Sequence, residues 1–168
     1  MPTSDDAVVY RLSAAGGRFR WLLDRVEVAH ASWRDQWWDL YGPAGGRALL
    51  SLVGASVEGR TRVALVDHTA RRAATFATAE PMSRSHIGVV RDSYDEPLVI
   101  VRAEGPSGLH LVDPSGGLLA LSTRRRAGEG AGSDVLITRA GSLLGTELLF
   151  GVGLALELLR VGRLGRVA

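Results

Sequence analysis

Arg124, Arg125 and Arg126 stand in an unbroken run, and Gly128, Gly130 and Gly132 follow at alternate positions. Guanidinium groups present planar forks of N–H donors that match carboxylate and phosphate oxygens. Alternating glycines let successive backbone amides converge into an anion nest. The same stretch, AGEGAGSD, also has the composition of a solvated flexible loop, which is the simpler reading. A second set, Arg160, Arg163 and Arg166, is spaced three residues apart at the end of an apolar run. Close to a membrane, such arginines contribute about 1 kcal/mol each toward anionic headgroups; a solvated tail closing one end of the domain accounts for them equally well. These six arginines are the candidate anion or lipid-headgroup contacts.

Other chemistry finds little to start from. His30, His68, His86 and His110 occur singly, none at a metal-ligand spacing such as HExxH. With no cysteine, disulfides, thiolate metal sites, cysteine nucleophiles and palmitoylation are excluded. With no lysine, the usual nucleotide-binding loop is excluded, and no GxSxG nucleophile elbow is present. The sequence therefore nominates no catalytic residue, metal ligand or cofactor. The basic residues are all arginine, with no asparagine and a single glutamine, Gln36, which reads as the codon bias of a GC-rich genome. Net charge is +2, and apart from the three tail arginines the chain is near neutral. Without a basic stripe interleaved with aromatics, nucleic-acid binding is not expected. Trp21, Trp33, Trp37 and Trp38 cluster in the first quarter, where strand and core packing explains them better than an interfacial belt. The acidic start MPTSDDAVVY lacks the basic and then apolar regions of a signal peptide, so a cytoplasmic, at most peripherally membrane-associated, protein is expected.

At 168 residues the chain is expected to be one domain, able to bury about two thirds of its unfolded surface. Its middle is a succession of hairpins. Trp37 to Tyr41, the turn GPAGG and Arg47 to Val53 make one. Three more share a local pattern: an apolar strand ends in Asp67, Asp92 or Asp113, three or four turn residues follow, and an apolar strand returns. A carboxylate in that place accepts hydrogen bonds from turn amides two residues on, a structural role. Earlier, Val8 to Leu12 reads as a short strand and Phe19 to Leu23 as a second strand or a short helix, and Arg25 to Arg34 loses its alternation midway. After the glycine-rich loop come a strand at Val135 to Arg139 and the apolar run Leu143 to Val161, LLGTELLFGVGLALELLRV.

That run places leucines and valines all round a helical wheel, so the helix must be buried on every side, by protein or by lipid. Ser142 is its expected N-cap and Gly162 its expected C′ residue. At about 19 residues it is long enough to span a bilayer, but Glu147 and Glu157 bring insertion close to break-even. Ten to twelve closely spaced strands form an antiparallel meander that curls or closes into a barrel. Such a barrel is too wide for its own side chains to fill. The run Leu143 to Val161 is the apolar element that can plug it. Glu147 then lies near one mouth and Glu157, paired with Arg160, near the other. Gly151 and Ala155 allow close approach to the wall.

Hairpins of the type VALVDHTARRAATF, IGVVRDSYDEPLVIV and LHLVDPSGGLLALS, followed by an all-round hydrophobic helix, resemble the LURP-one-related and phospholipid-scramblase-like branch of the tubby-like proteins. The resemblance spans roughly Trp37 to Val161. It implies a mostly β fold, a twelve-stranded antiparallel β-barrel enclosing a hydrophobic C-terminal helix at residues 143–161, with 162–168 a short basic tail. Asp134 to Ser142 offers one acid where scramblase-like members carry a calcium-binding segment, so calcium binding is not carried over. The phosphoinositide-binding residues of true tubby proteins have no counterparts that can be placed on this chain. The function expected is a non-enzymatic binding module for an anionic lipid, a membrane surface or a protein partner. The alternatives are a tail-anchored membrane protein with residues 143–161 spanning the bilayer, and an enzyme with a site at the barrel mouth.

Overall fold

The computed structural model describes residues 7–15, 17–57, 60–83, 86–125 and 132–160. Arg126, Gly128, Gly130, Gly162, Arg163 and Arg166 lie outside them. Twelve strands run in order, β1 (Val8–Ala15), β2 (Arg18–Leu23), β3 (Val26–Arg34), β4 (Trp37–Tyr41), β5 (Leu50–Val57) and β6 (Arg60–Asp67) in the first half. The second half supplies β7 (Arg72–Ser83), β8 (His86–Asp92), β9 (Pro97–Glu104), β10 (Gly108–Val112), β11 (Leu118–Arg124) and β12 (Gly132–Ile137). Each pairs antiparallel with the next, and β12 pairs with β1 from Val8 opposite Ile137 to Ser13 opposite Gly132. The sheet is a closed barrel, mostly β as expected, and closure leaves no edge strand.

The side-chain period of two sends one set of residues inward. Trp21, Trp38, Leu40, Leu50, Leu52, Val63, Leu65, Phe76, Val90, Val99 and Val101 are almost wholly buried there. The helix α1 (Arg139–Arg160) joins them in one core: Leu148, Val152, Leu154, Ala155 and Leu158 are fully buried. Phe150 stacks on Trp21 and meets Tyr10 edge-on, both at 5.0 Å between ring centroids. A Cβ added to Gly151 would lie 2.7 Å from Leu50 Cδ2, so the absence of a side chain there sets how close helix and wall approach. The run that is long and apolar enough to cross a membrane is here packed among the strands.

The helix begins earlier than its apolar pattern suggests. Thr138, not Ser142, is the cap: its Oγ1 accepts from the Gly141 amide at 3.1 Å, three residues on. The opening turn then breaks at Gly145, whose φ of 144° no side-chain-bearing residue adopts comfortably. Leu143, counted from the pattern as core, is 80 % exposed because that turn lies across the barrel end. Strand boundaries also differ: the last strand is Gly132–Ile137 rather than Val135 to Arg139, because Thr138 caps the helix and Arg139 begins it. The β2–β3 connection is a two-residue loop, with Asp24 and Arg25 both at positive φ as a type I′ turn requires, so β3 starts at Val26. A register shift opposite Trp21/Leu22 inserts an extra residue, Val28, into β3, which is why the alternation there is lost. β5 starts at Leu50 rather than Arg47.

Deleting residues 143–168 is expected to abolish cooperative unfolding, since each buried leucine removed costs about 2–5 kcal/mol against a total of about 5–15 kcal/mol; far-UV circular dichroism and urea titration read the outcome. Gly151→Leu, by overpacking against Leu50, should lower stability by about 1–3 kcal/mol or more.

Candidate functional site

The two ends of the barrel are built differently. At the end where α1 begins, Asp67 closes the β6–β7 turn. Its Oδ1 accepts from the Thr69 and Ala70 amides at 3.1 Å and from Thr69 Oγ1 at 2.7 Å. Its Oδ2 accepts from Arg72 Nε at 3.2 Å, and Arg72 Nη2 donates on to the Leu144 carbonyl beside the Gly145 break. This chain of contacts pins the opening turn of the helix to the barrel wall. Burial pushes the Asp67 carboxyl up, but the hydrogen bonds and the Arg72 charge outweigh it and hold the group below its ordinary value. A small pocket of about 190 Å³ lies at this end, lined by Val8, Tyr10, Ile137, Arg139, Ser142 and Thr146. Burial, and then the nearby Glu147, raise the pKa of Tyr10.

The equivalent carboxylates Asp92 and Asp113 serve their turns in the same way. Asp92 Oδ1 accepts from the Tyr94 and Glu96 amides, and Asp113 Oδ1 from Ser115 and Gly117. The structural role expected of all three is what the geometry shows.

At the opposite end, around the C-terminal turns of α1, the barrel is hollow. A cavity of about 600 Å³ opens between the helix and strands β6 to β12. Its lining includes small residues, Ala79 and Ala103 on the wall and Gly153 on the helix, where an added Cβ would meet nothing within 4 Å. Leu12, Ile87, Leu109, Leu156 and Leu159 supply its apolar surface. Arg124, Glu157 and Arg160 supply charge, and Ser107, Ser122 and Ser133 hydroxyl groups.

Of the six candidate arginines, the structure brings two, Arg124 and Arg160, to this one cavity. Arg124 closes β11, its amide bonded to the Ser107 carbonyl at 2.9 Å, and is exposed at the rim. Arg160 pairs with Glu157 at i+3, its Nε 3.2 Å from Oε2 and its Nη2 on Oε1, and that hydrogen-bonded fork raises its pKa. Arg125 is engaged elsewhere. Its side chain is 5 % exposed, Nε 3.4 Å from Asp134 Oδ1 and Nη2 donating to the Leu12 carbonyl at 3.1 Å, so it ties β11, β12 and β1 together at the barrel seam. Asp134, the one acid of its segment, is thereby occupied. Among the described residues no three His, Asp or Glu side chains are placed to hold a metal ion.

A serine, a histidine and an acid do meet on the outer wall, where the sequence could not show it. Asp39 and Ser51 are opposite one another across β4 and β5, and His68 follows β6. Ser51 Oγ donates to Asp39 Oδ1 at 2.6 Å and lies 2.9 Å from His68 Nε2. Trp37 Nε1 and Tyr41 Oη also donate to Asp39, which is 5 % exposed beneath the 42–49 connection. Here the serine is the middle member. Having one hydrogen and giving it to Asp39, it accepts from His68 Nε2–H, and the imidazole has no lone pair toward it. A nucleophilic relay needs the histidine between serine and acid. The arrangement instead fastens the floor of a groove of about 810 Å³ under that connection.

No protein-family model and no curated protein sequence matches the chain. Among solved structures, the chain is similar to an X-ray structure of a protein from Arabidopsis thaliana, with a TM-score of 0.58 over 85 % of this chain and 87 % of that one, at 11 % identity. At that identity the likeness is one of fold.

Because the folded Asp67 pKa lies below its unfolded value, its contribution to stability is present above about pH 4 and is lost as pH falls through the lower folded value. Asp67→Asn should therefore cost about 1–3 kcal/mol at neutral pH and flatten the acid limb of a urea-midpoint-against-pH curve.

Proposed function

We propose that the protein is a non-enzymatic binding module whose hollow barrel mouth receives the apolar part of a lipid-like ligand, with Arg124 and Arg160 facing its head. The observation that carries this reading is the asymmetry of the barrel. The opening turn of α1 and the Asp67–Arg72 contacts lie across one end, and the other holds a cavity of about 600 Å³ beside Ala79, Ala103 and Gly153. Ligand cavities run to about 300–1,000 Å³ and are mainly apolar with a few placed polar groups, which describes this lining. Packing alone does not call for a glycine at 153, where a methyl group would meet no neighbour and would favour the helix.

Kinship with the LURP-one-related and scramblase-like branch of the tubby-like proteins belongs to the same proposal. Its support is the closed twelve-strand barrel with a C-terminal helix, the architecture that the hairpin resemblance implies.

Filling the cavity is the direct test. Gly153→Phe should fold, since the site is open, and should abolish binding of a fluorescent fatty-acid or lysolipid probe that the unaltered protein takes up. Gly153→Ala should retain binding and raise stability by about 0.5–1 kcal/mol. Arg125→Ala, by contrast, should destabilise the seam and leave the probe affinity of the folded fraction unchanged. Uptake that is indifferent to Gly153→Phe would remove the cavity from the function.

A further inference from the structure

We infer that the ligand of the mouth is a free single-chain monocarboxylate, a long aliphatic acid, rather than a membrane-embedded or multiply charged lipid. The inference rests on the binding reading just given and concerns the head that the site selects.

Three charged side chains line the cavity among the described residues: Arg124, Glu157 and Arg160. Glu157 and Arg160 satisfy one another through a two-point fork, side by side on the last turn of the helix. One positive charge is left over, on Arg124, whose guanidinium makes no hydrogen bond or ion pair with the described residues and is exposed at the rim. One uncompensated guanidinium calls for one negative charge, and its planar fork matches a carboxylate through two parallel hydrogen bonds. A polyphosphorylated head would bring several negative charges to a lining whose described residues offer one unpaired guanidinium, and would also face Glu157. Attachment to an anionic bilayer draws on several basic residues, each contributing modestly, and the described residues of this lining supply one that is unpaired.

The apolar part is as specific. Ile87, Leu109, Leu156 and Leu159 are partly exposed at the mouth yet already packed against the core, so an aliphatic chain entering beside Gly153 would complete their burial. The space tapers between a single helix and the wall. It suits one flexible chain, and no aromatic side chain lines it to stack a planar ring. Ser107 and Ser122 lie in the same lining and can donate to a second carboxylate oxygen.

The test is isothermal titration of the full chain with hexadecanoate, with the alcohol of the same length, and with micellar phosphatidylinositol bisphosphate. The expected result is that the acid binds about tenfold or more tightly than the alcohol, and that the bisphosphate lipid binds more weakly than the acid. Arg124→Gln should bring the acid down to the affinity of the alcohol while leaving the alcohol unaffected, and Arg124→Lys should restore part of the difference. Gly153→Phe should abolish both, with near-ultraviolet circular dichroism confirming that each variant is folded. Equal affinity of acid and alcohol in the unaltered protein, or tighter binding of the bisphosphate lipid, overturns the monocarboxylate assignment and leaves the cavity reading standing. Binding of none of the three overturns both.

Discussion

A twelve-strand barrel has more interior than its own side chains can fill, and the burial of the Leu148–Leu158 segment is what makes this one a solid. The inward residues of nearly every strand are complementary to that single helix: Trp21 to Phe150, Leu50 and Leu65 to Gly151, Tyr10 to the other edge of Phe150. Helix and barrel are therefore not separate elements that dock. Over the buried segment the surfaces they present to one another are mainly apolar. Everything distinctive about the two mouths follows from how far that plug reaches. At its start, the Thr138 cap, the Gly145 break and the Arg72 contact fold an extra turn across the opening; beside its last described turns, Ala79, Ala103 and Gly153 line the space.

The architecture was largely legible because it rests on two periodicities and on turn chemistry. The aspartates at the strand ends are a short-range signal, and each does what its position promises. Asp24 and Arg25 show the opposite case: the type I′ geometry is there without the Asn-Gly or Asp-Gly pair that announces it. The extra residue at Val28 erased the alternation of β3 for a reason no local pattern reveals, since a bulge is a relation between two strands. Likewise Leu143 looked like core because hydrophobicity does not report where a helix leaves the barrel.

The candidate site divides along the same line. That arginines near residues 124 and 160 belong together is a consequence of the helix ending beside the end of β11, about 36 residues later in sequence. Their grouping could be anticipated only as two separate sets. Arg125, adjacent to Arg124 and chemically identical, has the opposite fate because successive residues of a strand point to opposite faces. The hollow itself was invisible: it lies beside the small side chains of Ala79 and Ala103 and the bare Cα of Gly153, and missing volume leaves no mark in a hydropathy pattern. The Asp39, Ser51 and His68 meeting shows the converse risk. Residue types that suggest acyl transfer are joined in an order that makes a brace.

Closure of the barrel by pairing β1 with β12, around a helix that follows β12 in the chain, also fixes when this protein can become itself during synthesis. The contacts that matter most join residues more than a hundred positions apart, so loop-closure entropy must be met before they repay it. While the ribosome is still adding residues 132–160, the first eleven strands have neither a closing partner nor a core. They hold inward-facing leucines, valines and tryptophans exposed until the last segment emerges. The barrel therefore cannot complete its core before residues 132–160 are available, even though its hairpins are local in design.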